Sequence, residues 1–258
     1  MSDPSVRRFY DDMATEYHLI FPDWDTSIAR QASVLDPLIQ GHLGAGPRRV
    51  LDCSCGIGTQ AIGLAGAGHQ VVGSDLSPRA AARAAVEAAS RGLRLPVAAA
   101  DMRQLPFAAS VFDVVVCADN SLAHLLSEQD VIAGLRDMGR VLRPDGLLVL
   151  TVRGYDEIRA SRPTAPPPRA TATPEGRVIT FQLWHWHEDG EHYDLEHFQL
   201  VPAGDTWSVR TRHTTSWALT RAQLTGFVAE AGFTDVVWHT PDSTGFYQPV
   251  LTARRASR

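Results

Sequence analysis

A short turn that contains glycine, followed further along the chain by an acid, is the first pattern that could do chemistry. The turn DCSCGIG occupies residues 52–58 after an apolar run, and Asp75 ends the next apolar run, QVVGSD. Glycine lets the backbone approach a ligand closely, and a helix that begins after the turn directs its N–H groups and positive dipole end toward that ligand. A carboxylate at the end of the second strand can accept hydrogen bonds from both hydroxyl groups of a ribose. This order predicts a nucleotide-type ligand site; the alternative is a tight turn with an incidental acid.

Alternating strands and helices are the elements that must hold this turn in place. Uninterrupted apolar strands that alternate with helices indicate a parallel sheet covered on both faces. The predicted fold class is therefore α/β, with a doubly wound, mostly parallel sheet. The predicted strands are RVLDC (49–53), QVVGSD (70–75), LPVAAAD (95–101), FDVVVCAD (112–119) and GLLVLTV (146–152). Three helices are predicted between them: one from about Thr59, one over Ser77–Arg91 and one near Ser127–Val141.

Both ends of the chain are also predicted to hold regular structure. Apolar residues recur at helical spacing near the N-terminus, and Thr220 and Gln223 have the spacing of a capping box. The expected elements are helix over residues 1–40 interrupted at Pro22, a second helix over Thr26–Gln40, a helix from Thr220 that stops at Gly232, and strands near Asp235–His239 and Phe246–Ala253.

The segment between these regions has a different pattern. Residues 162–176, RPTAPPPRATATPEG, are proline-rich and are predicted to lack regular structure. Three extended runs follow, and Asp189-Gly190 predicts a hairpin turn between the first two. The expected domains are an N-terminal helical lid (1–44), a ligand-binding core (45–152 and 218–258) and an antiparallel β insertion (153–217) that forms a substrate lid.

Composition and charge exclude several classes of partner. The chain has 258 residues and a net charge of −5, with no basic run longer than a pair, so a nucleic acid is not an expected partner. No apolar run approaches the roughly 20 residues that span a bilayer, so no membrane is expected. Three cysteines and an N-terminus without an apolar signal region favour a reduced, cytoplasmic setting. The oligomeric state stays open, with a homo-oligomer as one alternative.

The glycine turn resembles a specific family. It lacks the three glycines of a dinucleotide fingerprint, which disfavours a nicotinamide dehydrogenase. It resembles motif I of the class I S-adenosylmethionine-dependent methyltransferases, with Ser54 in place of the first glycine, and LRPDGLLVL resembles the family's segment before and within the fifth strand. The resemblance covers roughly residues 45–155 and implies a Rossmann-like methyltransferase with S-adenosyl-L-methionine as cofactor. The implied cofactor-binding residues are Asp52, Ser54, Gly56, Gly58, Asp75, Leu76 and the adenine-contacting pair Asp101 and Met102.

Two further segments resemble the glycine and sarcosine N-methyltransferases of that family. CADNSLAHLL resembles their GNS-x-x-HL signature, and VRGYDEI resembles their R-N-Y-D segment. The resemblance implies that Arg153 binds the carboxylate of the acceptor and that Asn120 assists it, which suits the bidentate fork of a guanidinium. The segments FYDDMATEYHLIF and STGFYQPV resemble further parts of the group. They imply Tyr17 as a contact of cofactor or substrate, Arg30 as a partner of the methionyl carboxylate, and Tyr247 as a substrate contact.

Two positions depart from that pattern and leave the acceptor open. Asp119 replaces the glycine before Asn120, and Gly154 replaces the asparagine after Arg153. The additional carboxylate either holds a cationic amine or guanidine or caps the next helix, and Arg153 has the alternative of a solvated charge at a strand end. The prediction is a methyltransferase acting on the nitrogen of a small amino acid or related amine. The alternatives are an O-methyltransferase of a small carboxylate or natural product, and a non-catalytic S-adenosylmethionine-binding protein.

A histidine-rich hairpin and three cysteines are the remaining reactive groups. In LWHWHEDGEHYDLEHF, strand alternation places His185, His187 and His192 on one side of the ribbon and Trp184 with Tyr193 on the other. Imidazoles and carboxylates on one side permit a metal site, but a polar outer face over an aromatic inner face explains the same pattern, and no metal is predicted. The cysteines are expected either to cluster near the cofactor or to fill small buried spaces.

Overall fold

The computed structural model describes residues 4–173 and 176–256. In chain order the helices are α1 (Pro4–Met13), α2 (Trp24–Leu43), α3 (Thr59–Gly66), α4 (Pro78–Ser90), α5 (Glu128–Val141), α6 (Tyr155–Ser161), α7 (Arg221–Glu230) and α8 (Pro241–Thr244), with 3-10 turns at Tyr17–Ile20 and Ser121–His124. The strands are β1 (Arg49–Asp52), β2 (Gln70–Asp75), β3 (Val97–Ala99), β4 (Phe112–Cys117), β5 (Leu142–Thr151), β6 (Arg169–Thr173), β7 (Gly176–Trp186), β8 (His192–Ala203), β9 (Thr206–Trp217), β10 (Phe233–His239) and β11 (Val250–Arg255).

The described strands form a central sheet and a separate antiparallel sheet. The central sheet has the order β10-β11-β5-β4-β1-β2-β3, with parallel pairing from β5 to β3 and antiparallel pairing at β10 and β11. The carboxyl ends of β1, β2 and β4 therefore meet at one edge, where ligands bind in folds of this kind. The predicted α/β class with a doubly wound, mostly parallel sheet is confirmed.

The central sheet is buried because its strands are apolar on both faces. Val50 and Val114 are wholly buried among side chains of α2, α3 and α4. Their neighbours Leu51 and Val115 point the other way and are wholly buried among side chains of α5 and α7. Alternate residues of one strand thus reach two different helical layers. This packing fixes the strand ends that carry the candidate site.

The N-terminal helices begin and end differently from the prediction. The first helix ends before Pro22, since α1 stops at Met13 and is followed by the 3-10 turn at Tyr17–Ile20. The second helix is longer than Thr26–Gln40 because the side chain of Asp23 caps it by accepting the N–H of Thr26 at 2.9 Å. Residues 1–3 of the predicted first helix lie outside the described part of the chain. α1 packs against β9 and α4 and buries Phe9 and Met13 beside the insertion. It thereby links the antiparallel sheet to the core.

The antiparallel sheet contains a strand where no regular structure was predicted. β6 lies in the proline-rich segment and pairs with β7, so the prediction is wrong for residues 169–173. The last proline of the run is Pro168, and the RATAT sequence after it has the free N–H groups that a ladder needs. The hydroxyl of Thr171 also donates to the carbonyl of Leu19 at 3.0 Å. The hairpin at Asp189-Gly190 is confirmed, with the N–H of His187 donating to the carbonyl of His192.

The C-terminal elements also differ in their bounds. The capping box between Thr220 and Gln223 is confirmed, and the helix that it opens ends at Glu230, before Gly232. β10 starts at Phe233, earlier than predicted, whereas β11 starts at Val250 and not near Phe246. Pro249 has no N–H to donate to the ladder, so the paired strand begins after it. The division of the chain into lid, core and insertion stays a prediction. None of the described helices is long and apolar enough to cross a membrane.

Candidate active site

The glycine turn after β1 is compact and is ordered by its own backbone. Gly56 and Gly58 have φ values of 51° and 101°, in the left-handed region that favours glycine. A Cβ on Gly58 would lie 2.9 Å from the Cδ1 of Ile62. The N–H of Cys55 donates to the carbonyl of Ser74 at 2.9 Å, which ties the turn to β2. The first residues of α3, Thr59 and Gln60, line the space above the turn.

Asp75 closes the turn from the neighbouring strand. Its two carboxylate oxygens accept the N–H of Gly56 and the N–H of Ser77, each at 2.8 Å. Burial raises the pKa of Asp75 to about 6, although these two hydrogen bonds favour the ionised form. An ionised carboxylate has about four acceptor positions, so both oxygens retain capacity for hydroxyl groups of a ligand. The acid is not incidental, because it orders the turn as well as facing the cavity.

Asp52 lies behind the turn and is wholly buried. One of its oxygens accepts the N–H of Ser54 at 3.4 Å, and the other, Oδ2, has no hydrogen-bond partner among the residues that the structure describes. Burial raises the pKa of Asp52 to about 8, with smaller contributions in the same direction from Asp75 and Asp119. Asp52 and Gly58 are not on the cavity wall, so any effect of theirs on a ligand passes through the turn.

We expect the stability of the ligand-free protein to fall by about 1.5 kcal/mol between pH 6.5 and pH 8 because of Asp52. The folded state keeps the proton up to about pH 8, whereas the unfolded state loses it near pH 4, so rising pH favours unfolding within that interval. The measurement is the denaturant midpoint across that pH range for the wild type and Asp52→Asn. Other groups titrate equally in both proteins, so the difference between the two profiles isolates Asp52. Parallel profiles would contradict the protonated state assigned to it.

Two adjoining cavities lie at the carboxyl ends of the central strands. The smaller, with about 1030 Å³ of empty space, contains most of the residues predicted to bind the cofactor. The larger, with about 2000 Å³, extends between α1, α2 and the antiparallel sheet. Both volumes include space open to solvent. The predicted residues on the wall of the smaller cavity are Tyr17, Ser54, Gly56, Asp75, Leu76, Asp101 and Met102, and those on the wall of the larger are Tyr17, Arg30, Asn120, Arg153 and Tyr247.

Asp101 is held by a basic residue that the motif comparison did not select. The guanidinium of Arg103 contacts the Asp101 carboxylate at 2.7 Å and the Asp130 carboxylate at 2.6 Å. Burial acts against ionisation of Asp101, but the hydrogen bonds from Arg103 outweigh it and lower the pKa of Asp101. Arg103 and Asp130 both line the smaller cavity. The sequence places Arg103 beside the motif, but only the fold places Asp130 there.

Arg153 is enclosed by aromatic groups. Its guanidinium donates to the hydroxyl of Tyr193 at 2.9 Å and lies 4.9 Å from the ring centroid of Trp184. Tyrosine hydroxyls near it raise the pKa of Arg153, against the effect of burial, so it stays charged. Among the ion pairs of the described residues, none joins Arg153 to a carboxylate. The guanidinium is half-buried and faces the larger cavity, so Arg153 is not a fully solvated charge at a strand end.

Asn120 orients the segment around Arg153. Its side-chain oxygen accepts the N–H of Arg153 at 3.2 Å, and its amide donates to the hydroxyl of Tyr155 at 2.8 Å. That hydroxyl lies 3.0 Å from the hydroxyl of Tyr193, the partner of the guanidinium. The two segments singled out by their resemblance thus meet in one buried hydrogen-bond network. The network joins β4, β5 and β8.

Arg30 and Tyr247 lie on the larger cavity, away from the glycine turn. The guanidinium of Arg30 donates to the carbonyl of Gly245 at 3.1 Å. The hydroxyl of Tyr247 donates to the carboxylate of Asp119, and the ring of Tyr247 is 45% exposed. Contact of Arg30 with a methionyl carboxylate stays a prediction, as do the ligand contacts of the other selected residues.

His124 belongs to the site although only its neighbour Asn120 was selected from the same segment. It lines both cavities, its Nε2 lies 2.7 Å from the hydroxyl of Tyr10, and its Nδ1 lies 3.2 Å from the carbonyl of Thr215. Burial lowers the pKa of His124 to about 4, so the ring is neutral at pH 7. A neutral ring donates from one nitrogen only, so Nδ1 carries the hydrogen and Nε2 accepts from Tyr10. Its place in the NS-x-x-HL segment was the available signal.

The histidine-rich hairpin has the predicted two faces. His185 pairs across the ribbon with Asp194, and Trp186 pairs with Tyr193. Tyr193 is wholly buried, and His187 faces outward, with its Nε2 3.2 Å from the carboxylate of Asp194. Within residues 4–173 and 176–256, no group of three or more potential ligands is arranged to hold a metal ion. The outer face is accounted for by pairs of histidine with acid.

The three cysteines are buried and unpaired by disulfides. Cys53 and Cys117 lie on neighbouring strands, and a hydrogen bond between their side chains, with burial, raises the pKa of the Cys53 thiol. Cys55 packs its sulfur against the Cα side of Gly73, and burial raises the pKa of its thiol as well. Both alternatives from the sequence hold in part, because the thiols fill buried space and Cys53 and Cys55 also reach the wall of the smaller cavity.

Comparisons with known proteins agree with this geometry. Residues 50–146 match the family model described as a methyltransferase domain. A glycine/sarcosine N-methyltransferase from Parasynechococcus marenigrum is 35% identical over 158 residues, which cover 61% of this chain and 55% of that protein. Another with that name, from Halorhodospira halochloris, is 34% identical over 162 residues, covering 61% and 60%. The chain thus matches just over half the length of these curated relatives.

A solved structure shows the same fold over nearly the whole chain. It is a S-adenosylmethionine-bound amino pentose methyltransferase, CalS10, from Micromonospora echinaspora, with a TM-score of 0.71 and 21% identity. The alignment covers 94% of this chain and 95% of the other. At this identity the likeness shows a shared fold alone.

Proposed function

We propose, on the premise that residues 50–146 belong to the methyltransferase-domain family, that this protein is a S-adenosylmethionine-dependent methyltransferase acting on the nitrogen of a small amine that carries a carboxylate. The observation that carries the acceptor class is Arg153. It is a half-buried cation on the wall of the larger cavity, and its described side-chain partners are the Tyr193 hydroxyl and the ring of Trp184. A cation that is partly removed from water is stabilised by a partner of opposite sign, and an acceptor carboxylate would supply that partner through a bidentate contact.

The smaller cavity fits the cofactor by the chemistry of its wall. The glycine turn and the start of α3 offer N–H groups to the methionyl and ribose parts, and Asp75 has free acceptor positions for the ribose hydroxyls. Asp101 and Met102 lie further along the same wall, where an adenine would contact one polar and one apolar side chain. When bound, S-adenosylmethionine supplies an electrophilic methyl group on a positively charged sulfur.

The remaining residues would orient the acceptor and exclude water. Arg153 and Asn120 fix the carboxylate end, so the opposite end of the acceptor points toward the wall shared by the two cavities. Tyr10 and Tyr17 lie on that shared wall, and aromatic faces tolerate the cationic character of the reacting groups. Alignment of two reactants in a closed site supplies much of the acceleration that a displacement reaction needs.

A larger, hydroxyl-bearing amine is a second candidate acceptor. The larger cavity exceeds what glycine requires, and the inner face of the antiparallel sheet presents uncharged polar groups to it. Such groups are suited to sugar hydroxyls, and the fold match to an amino pentose methyltransferase agrees with this candidate. The polar groups on that face are Thr180, Gln182, Thr214 and Ser216.

A paired acceptor screen tests the proposed function. Each amine is offered with and without a carboxylate, amino sugars are included, and release of S-adenosylhomocysteine is measured with mass identification of the product. We expect turnover of amines, with carboxylate-bearing members preferred over their decarboxylated partners. Methylation of oxygen instead of nitrogen would favour the O-methyltransferase alternative. Binding of S-adenosylmethionine without any turnover would favour a non-catalytic protein.

A further inference from the structure

We propose that Asp119 binds the cationic nitrogen of the acceptor and removes its proton before methyl transfer. This inference rests on the proposed function, because it requires an amine acceptor beside a methylsulfonium donor. It identifies a specificity-determining group at a position where the glycine and sarcosine N-methyltransferase signature has glycine.

The position of Asp119 in the two cavities is the first argument. Within the described residues, Asp119 is the only carboxylate on the wall of the larger cavity, and it also lines the smaller one. The other carboxylates on the smaller cavity, Asp75, Asp101 and Asp130, do not reach the larger cavity. An acceptor anchored at Arg153 therefore has one anionic group available for its nitrogen, at the junction with the donor space.

The backbone and partners of Asp119 exclude the capping role that the sequence left open. Asp119 has φ 55° and Asn120 has φ 69°, a left-handed conformation that is uncommon for residues other than glycine. No side-chain cap is formed at the turn that follows. The carboxylate of Asp119 instead accepts hydrogen bonds from the hydroxyl of Tyr247 and the amide of Gln60. An acid is thus kept in a backbone conformation suited to glycine, and its carboxylate is directed to the cavities.

The surroundings of Asp119 favour proton acceptance. Burial raises the pKa of Asp119, and the hydrogen bonds from Tyr247 and Gln60 act in the opposite direction. A carboxylate with a raised pKa is a better base for an ammonium group than an ordinary surface carboxylate. The titratable or charged groups around it are Tyr10 and Tyr17 from the N-terminal segment, Asp52 from β1, His124 from the 3-10 turn, Arg153 after β5 and Tyr247 before β11.

The histidines of the larger cavity are uncharged at pH 7. Burial lowers the pKa of His124 and of His197 to about 4. A group with so low a pKa is a weak base and removes a proton from an ammonium inefficiently at neutral pH. The tyrosines lining the site have raised pKa values and stay protonated. Asp119 is therefore the anionic group on this wall that an ammonium would contact.

The proposed reaction balances in atoms, protons and electron pairs. The ammonium of the acceptor transfers one proton to the Asp119 carboxylate and becomes a neutral amine. The nitrogen lone pair forms the new N–C bond, the S–CH₃ bond breaks, and its electron pair stays on the sulfur. The products are a protonated N-methylamine and S-adenosylhomocysteine, and Asp119 returns its proton to solvent.

Binding of two cofactor analogues tests the charge contact without any turnover. Sinefungin carries an ammonium group at the position of the methylsulfonium, whereas S-adenosylhomocysteine has an uncharged thioether there. The ratio of their dissociation constants therefore reports on an anion near the transferred methyl. We expect the wild type to bind sinefungin more tightly than S-adenosylhomocysteine. In Asp119→Asn the ratio of the two affinities should fall about tenfold, whereas the affinity for S-adenosylhomocysteine should change by less than about twofold. Asparagine tolerates the left-handed conformation, so the variant retains the local fold.

A matched control is available on the same strand. Asp113→Asn makes the same substitution at the opposite end of β4, where the carboxylate accepts the N–H of Arg49 at 2.8 Å outside both cavities. Asp113→Asn should keep the wild-type preference for sinefungin. An unchanged ratio in Asp119→Asn would overturn the inference and leave the proposed function intact. A wild type that binds neither analogue would overturn the proposed function, and the inference with it.

The pH profile with an acceptor from the screen tests the proton transfer. In Asp119→Asn, kcat/KM should rise about tenfold per pH unit up to the pKa of the amine and approach the wild-type value above it. The wild type should keep its activity at pH values where the amine is protonated in solution. A constant ratio between the two proteins at every pH is the result expected of a purely structural role, and it would overturn proton removal by Asp119.

Discussion

Replacement of Arg153 by alanine should lower kcat/KM for a carboxylate-bearing acceptor, with a loss of transition-state stabilisation of about 2–5 kcal/mol, because the acceptor anion would then be buried without a partner. Cofactor affinity should hardly change, since Arg153 lines the larger cavity only. Arg153→Lys should also be impaired, because an ammonium group cannot reproduce the bidentate fork. The measurement is kcat/KM for the best acceptor of the screen, together with the dissociation constant of S-adenosylmethionine.

Two further variants separate binding from folding at this position. Arg153→Met keeps an unbranched apolar side chain and removes the guanidinium that lies over the ring of Trp184. Arg159→Ala is a matched control, because Arg159 lies on α6 outside both cavities and pairs with Glu191 at 2.8 Å. Wild-type efficiency in Arg153→Ala, or best acceptors without a carboxylate, would disprove the carboxylate anchor. The methyltransferase assignment would survive either result.

Replacement of Asp75 should weaken S-adenosylmethionine binding by about 1.5–3 kcal/mol, the usual range for lost hydrogen bonds to a charged group. Asp75→Ala also removes the acceptor of the N–H groups of Gly56 and Ser77, so its unfolding free energy should fall as well. Asp75→Asn keeps the shape of the side chain and is the better test of the ligand contact. Calorimetric titration of folded protein gives the affinity, with Asp113→Asn as the control acid.

The pH dependence of cofactor binding provides an independent check of Asp75. Its pKa lies at about 6, so the carboxylate takes up a proton as the pH falls through that value and loses acceptor capacity. Wild-type affinity should therefore decrease below about pH 6, whereas Asp75→Asn should lack that step. A flat profile in the wild type, or unchanged affinity in both variants, would mean that the acid serves the turn alone.

The local part of the site was predictable because its signals lie within short segments. The apolar runs, the glycine turn and the capping box each depend on a few neighbouring residues. They were sufficient for the order of β1, α3 and β2, for the acid at the end of β2 and for the α/β class. The strand β6 was missed because nearby prolines dominated the composition, although RATAT itself lacks proline.

The acceptor side of the site depends on contacts between distant parts of the chain. Three contacting pairs are far apart in the sequence: Tyr247 and Asp119 by 128 residues, Tyr10 and His124 by 114, and Arg153 and Tyr193 by 40. No local propensity encodes such pairs, since each forms only when the helices and both sheets pack together. The residue types indicated a nucleotide-type site, and the resemblance to the glycine and sarcosine N-methyltransferases implied a carboxylate anchor. The partial burial of Arg153, the neutrality of His124 and the placement of Asp119 between two cavities follow from desolvation and packing, which arise only in the folded chain.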